Sequence, residues 1–77
     1  MMEYRRQIKL SGPEDVREFV HSAERCDFDI NVFYNRFIVD AKSILGVFSL
    51  DLSKNLTVEY GGIDAGFERM LTKYCVA

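Results

Sequence analysis

The chain has 77 residues, 48% of them apolar and 29% charged, with a net charge of −2 and a pI near 5.3. That is the profile of one small soluble domain, able to bury roughly 60–65% of its unfolded surface and with little room for a deep catalytic pocket. The acidic balance argues against nucleic acid as a partner, and no apolar run approaches the roughly 20 residues that span a bilayer.

The opening residues, MMEYRRQIKL, have no apolar stretch behind their charges, so no secretory signal is expected. Cys26 and Cys75 have neither ligand spacing nor the density of a disulfide scaffold, and His21 is the only histidine. Reduced thiols in a cytoplasm are therefore expected, with no metal and no cofactor.

Residues 4–10 alternate, with Tyr4, Ile8 and Leu10 on one side and Arg5, Gln7 and Lys9 on the other; Arg6 falls on the apolar face. The pattern predicts a half-buried strand. Ser11-Gly12-Pro13-Glu14 carries helix-start chemistry, with Pro13 in the first turn and Ser11 and Glu14 at capping-box spacing. Val16, Phe19, Val20 and Ala23 then form an amphipathic stripe, which predicts a helix over 13–25.

Residues 29–34 and 36–41 alternate again, with Ile30, Val32 and Tyr34 followed by Phe37, Val39 and Ala41 around a tight turn at Asn35. Ser43 to Leu50 predicts a short helix, Ser53-Lys54-Asn55 a turn, and Leu56, Val58 and Tyr60 a last strand. Ile63, Phe67, Met70, Leu71 and Tyr74 complete a second long helical stripe. The expected order is βαββαβα. This is an α+β open-faced two-layer sandwich, a four-stranded antiparallel sheet with its helices on one face and a single domain over residues 1–77.

The run Lys42-Ser43-Ile44-Leu45-Gly46-Val47-Phe48-Ser49-Leu50 is the most informative in the chain. A helix of about two turns cannot bury Ile44, Leu45, Val47, Phe48 and Leu50 together, so Leu45 and Phe48 are expected to reach solvent. Small exposed apolar clusters of this kind mark contact sites.

This run resembles the K-S-I-x-G-V-x-S-L signature of the HPr phosphocarrier family. The resemblance continues upstream through Asp29-Ile30-Asn31-Val32, Tyr34-Asn35 and Val39-Asp40-Ala41. The expected element order is also that of the HPr fold. Downstream the pattern agrees more than the identities do. The resemblance implies a relation to the sugar phosphotransferase system of bacteria and to carbon catabolite regulation.

That family accepts a phosphoryl group on a histidine within a G-[LIVM]-H-A-R-P motif opening the first helix. Here an alignment without gaps, anchored on the serine segment, puts Gly12 at the histidine, Glu14 at the arginine and Asp15 at the proline. Glu14 and Asp15 suit the positive end of a helix but repel a phosphoryl group brought there. His21 lies nine residues beyond Gly12, about 13 Å along the axis and opposite the apolar stripe, so it is expected to be a surface histidine. The expectation is a non-catalytic domain, similar in its missing histidine to catabolite-repression HPr-like proteins.

In many members of the family the serine matching Ser43 is phosphorylated by a dedicated kinase. Equally, Ser43 is suited simply to cap the following helix. The resemblance further implies that the first helix and the short helix form a docking face for protein partners, with Arg17, His21, Ile44, Leu45 and Phe48 as contact residues. An HPr kinase and a regulator or phosphotransferase protein are the implied partners. Two alternatives stay open: a phosphocarrier with a non-histidine acceptor such as Asp15 or Asp51, and an HPr fold recruited to another role as a homodimer through its apolar patch.

Overall fold

The computed structural model describes residues 2–76. The elements follow in the order β1 (Tyr4–Ile8), α1 (Pro13–Glu24), β2 (Ile30–Tyr34), β3 (Phe37–Asp40), α2 (Ile44–Phe48), β4 (Leu56–Tyr60) and α3 (Ala65–Tyr74). The strands form one antiparallel sheet in the order β1-β4-β2-β3. This is the expected α+β sandwich.

Period-two alternation explains the sheet. Ile8, Ile30, Val32, Leu56, Val58 and Tyr60 are buried, while their neighbours on the strands turn to the open face. The helices close the core with Val16, Phe19, Val20 and Ala23 from α1, Val47 from α2, and Phe67, Met70 and Leu71 from α3. Tyr60 lies between Phe28 and Phe67, edge-on to Phe67 at 5.3 Å between ring centres. Burial, reinforced by the neighbouring Glu68 carboxylate, pushes the Tyr60 hydroxyl up to about 12.

The two sheet edges are treated differently. Beyond β1, Cys75 bridges to Ile8; the Val76 N–H donates to the Gln7 carbonyl and the Lys9 N–H to the Tyr74 carbonyl, both at 3.0 Å. The end of the described chain thus covers the Gln7–Lys9 end of that edge. β3 forms the opposite edge, joined to β2 through the Asn35–Arg36 turn, where Asn35 takes the positive φ (52°) that asparagine tolerates.

Several local expectations are corrected. The first strand ends at Ile8, with Leu10 buried in the loop beyond it. Ser11 does not cap α1 in partnership with Glu14. Gly12 is the N-cap, which makes Asp15 the third helical residue, and its carboxylate accepts both the Ser11 N–H (2.9 Å) and the Ser11 hydroxyl (2.7 Å). Ile63 does not belong to the last helical stripe. It precedes the Asp64 N-cap, whose carboxylate accepts the Phe67 N–H at 2.8 Å, and is exposed. Arg6, out of place in the alternation, reaches from β1 to Glu68 (3.4 Å) and Thr72 (3.3 Å) of α3.

Candidate docking surface

The short helix is fixed at both ends by serine. Ser43 is the N-cap, its Oγ accepting the Gly46 N–H at 3.1 Å, and the Ser49 hydroxyl donates to the Gly46 carbonyl at 2.6 Å. The approach is equally constrained. The Asp40 carboxylate accepts the Lys42 N–H (2.9 Å), the Ser43 N–H donates to the Asp40 carbonyl (3.0 Å), and Lys42 Nζ donates to the Cys26 carbonyl just past α1 (2.9 Å). A Cβ at position 46 would lie 3.3 Å from Cβ of Val39, so glycine lets α2 lie close over β3.

Two of the five apolar residues in this segment are inside, Val47 and Leu50. Leu45 is 80% exposed, Phe48 40% and Ile44 37%. Ser43 is exposed beside them. The exposed apolar triplet therefore sits on a short helix that is capped by a serine at each end. α1 packs against α2, and its Arg17 and His21 are exposed. Among the described residues no hydrogen bond or ion pair joins Arg17 or His21 to the α2 patch.

The start of α1 is organised around carboxylates. Asp15 is held below the usual carboxylate range first by the Ser11 N–H, then by the Ser11 hydroxyl and the Tyr74 hydroxyl. Glu18 is also lowered, by hydrogen bonds from the Tyr74 hydroxyl and then the Lys73 ammonium, which lies 2.9 Å away. The Tyr74 hydroxyl is pushed up in turn by burial and by Glu18. No histidine is among these residues; His21 lies in the last turn of α1.

The links from Tyr74 and Lys73 to α1 are invisible in local sequence, because the partners are more than fifty residues apart. The Lys42–Cys26 contact, 16 residues apart, likewise has no local signal in the sequence. No group of histidine, cysteine, aspartate or glutamate side chains suited to hold a metal occurs among the described residues. None of the described helices is long and apolar enough to cross a membrane.

No family model and no curated protein sequence matches the chain. Among solved structures, the crystal structure of a phosphocarrier protein HPr from Bacillus anthracis str. Ames is similar, with a TM-score of 0.71 and 24% sequence identity. The match covers 92% of this chain and 95% of that one. The fold is therefore HPr-like.

Proposed function

We propose that this chain is a protein-binding regulatory module related to the sugar phosphotransferase system, and that it does not carry phosphoryl groups on histidine. The observation that carries the reading is the pairing of Ser43 with the exposed Leu45, Phe48 and Ile44 on a helix fixed by its caps. Arg17 and His21 extend the docking face along α1. The site of action is the cytoplasm, and the partners are proteins: an HPr kinase and a regulator or phosphotransferase component.

Phosphorylation of Ser43 would add about −1.5 to −2 charges at the N-cap of α2, next to apolar side chains already in solvent. Charge and apolar surface would then be recognised together, without movement of the helix. A carboxylate acceptor is the poorer reading. Asp15 is engaged by Ser11, and Asp51 accepts both the N–H (3.0 Å) and the hydroxyl (2.7 Å) of Ser53. Those bonds stabilise the carboxylate anions and weaken them as nucleophiles.

Incubation with ATP and an HPr kinase tests the regulatory reading. The expected result is one phosphoryl group on Ser43, absent from the Ser43→Ala variant. An unmodified wild-type protein would remove Ser43 as a regulatory site.

A further inference from the structure

The β3 edge carries an arrangement that neither the fold nor the α2 patch requires. Ala41 N–H donates to the Ile30 carbonyl at 3.0 Å, continuing the β2–β3 ladder in which Val32 faces Val39 and Tyr34 faces Phe37. Hydrogen-bonded pairs alternate along an antiparallel ladder, so Phe37, Val39 and Ala41 direct their main-chain groups toward β2. Ile38 and Asp40 therefore direct theirs outward. The Asp40 carbonyl accepts the Ser43 N–H, whereas the N–H and carbonyl of Ile38 have no strand to pair with among the described residues.

The edge is short and has a charge at each end, Arg36 and Asp40, but its middle is apolar and open. Phe37 is 56% exposed and Ile38 62%, and no lysine or proline interrupts the strand. On the opposite edge, Cys75 and Val76 cover the Gln7–Ile8 end of β1, as described above.

The sequence Arg36-Phe37-Ile38-Val39-Asp40 is complementary to itself when reversed. An antiparallel pairing of two β3 strands about a twofold axis at Ile38 places Ile38 opposite Ile38. Phe37 then faces Val39 of the other copy, and Arg36 faces its Asp40 twice over. Ile38 and Asp40 share the helix-free face by their alternation, and Arg36 adjoins that row from the turn that opens β3, so the ion pairs would flank the central isoleucine contact. Like charges at these two positions would repel a second copy. Opposite charges at symmetric positions attract one, and Arg36 forms no ion pair within the chain among the described residues.

We propose that the chain self-associates through β3, two copies joining their sheets edge to edge across Ile38. A four-residue strand buries less than a standard interface, so the dimer is weak and concentration-dependent. This surface is distinct from the α2 patch, and the inference does not depend on Ser43 or on any kinase.

Sedimentation equilibrium over a dilution series up to millimolar protein, paired with amide hydrogen exchange at both ends of the series, tests it. The mass is expected to rise from 8.9 kDa toward twice that value, with the Ile38 amide becoming protected only at high concentration. Arg36→Asp and Asp40→Arg should each weaken self-association by about tenfold or more, while an equimolar mixture of the two variants restores a dimer by pairing opposite charges. Because Asp40 also holds the Lys42 N–H, the exposed Ile38→Asp serves as a second disrupting variant. A wild-type mass that stays at 8.9 kDa throughout overturns the proposal. A dimer whose Ile38 amide exchanges as in the monomer, or one dispersed by Leu45→Ala but not by Arg36→Asp, overturns it equally.

Discussion

The Ser43 hydroxyl oxygen lies 3.1 Å from the Gly46 amide nitrogen, so the proposed phosphosite is also the cap of the helix that carries the apolar patch. Helix stability and the proposed modification therefore depend on one oxygen. Ser43→Ala should lower stability by about 1 kcal/mol, the usual effect of losing a serine cap. Ser43→Asp should keep most of it, because a carboxylate caps as well. Chemical denaturation of the three proteins checks the order, and equal losses for both variants would contradict the capping role.

The α2 patch and the α2 core residue should separate cleanly. Leu45→Ala should change stability by no more than about 0.5 kcal/mol, since Leu45 is mostly in solvent. Val47→Ala, one turn face away and fully buried, should cost about 2 kcal/mol. Denaturation midpoints decide this, and a loss for Leu45→Ala matching that for Val47→Ala would show Leu45 to be structural.

Acid should unfold the protein partly through the start of α1. Asp15 and Glu18 titrate below their ordinary values in the folded chain, so the unfolded state binds protons more readily. Their stabilisation is present above the unfolded carboxylate pKa, near 4, and is lost as the pH falls through the folded values. Asp15→Asn and Glu18→Gln should therefore flatten the stability profile below about pH 5. An unchanged acid limb in both variants would mean that Ser11, Tyr74 and Lys73 contribute nothing through these carboxylates.

Alkali acts with the opposite sign. The Tyr60 hydroxyl, held near 12, and that of Tyr74 resist ionisation in the folded state. Their contribution is intact below the unfolded tyrosine pKa of about 10 and falls away as the pH rises through the folded values. Tyr74→Phe should reduce that alkaline loss while weakening the protein at neutral pH by about 1–3 kcal/mol, through the lost hydrogen bonds to Glu18 and Asp15. Denaturation curves at pH 7 and pH 11 measure both effects.

Gly62 is a packing constraint. A Cβ there would collide with the ring of Phe28, whose Cγ would lie only 2.9 Å away. That ring is stacked on Tyr60 and edge-on to Phe67, so it has little freedom to yield. Gly62→Ala should destabilise the fold by about 1–3 kcal/mol, whereas Gly12→Ala, with open space around its Cβ, meets no such clash. Thermal unfolding of the two variants compares them directly.

Most of the architecture was legible because each element carries a strong period. The stripe at Val16, Phe19, Val20 and Ala23 and the alternation of Leu56, Val58 and Tyr60 needed no tertiary information. The errors fell where one residue sets the frame. With Gly12 rather than Ser11 as N-cap, the reciprocal carboxylate moved from Glu14 to Asp15. Ile63 matched a helical period but lies before the Asp64 cap that starts the helix. Arg6 looked misplaced until α3 supplied Glu68 and Thr72. The exposure of Leu45 followed from length alone, since two turns cannot turn five apolar side chains inward. The Tyr74 link to α1 was not legible, because nothing near Asp15 or Glu18 in sequence announces a hydroxyl donor from the last helix.

The central claim is that an HPr-like fold here presents a docking surface without histidine phosphoryl transfer. Intact-mass analysis after incubation with phosphoenolpyruvate and enzyme I tests it most directly. The predicted result is an unchanged mass, with a histidine-bearing HPr phosphorylated in the same tube as the positive control. A phosphoryl group on any residue of this chain, acid-labile or acyl, would contradict the account.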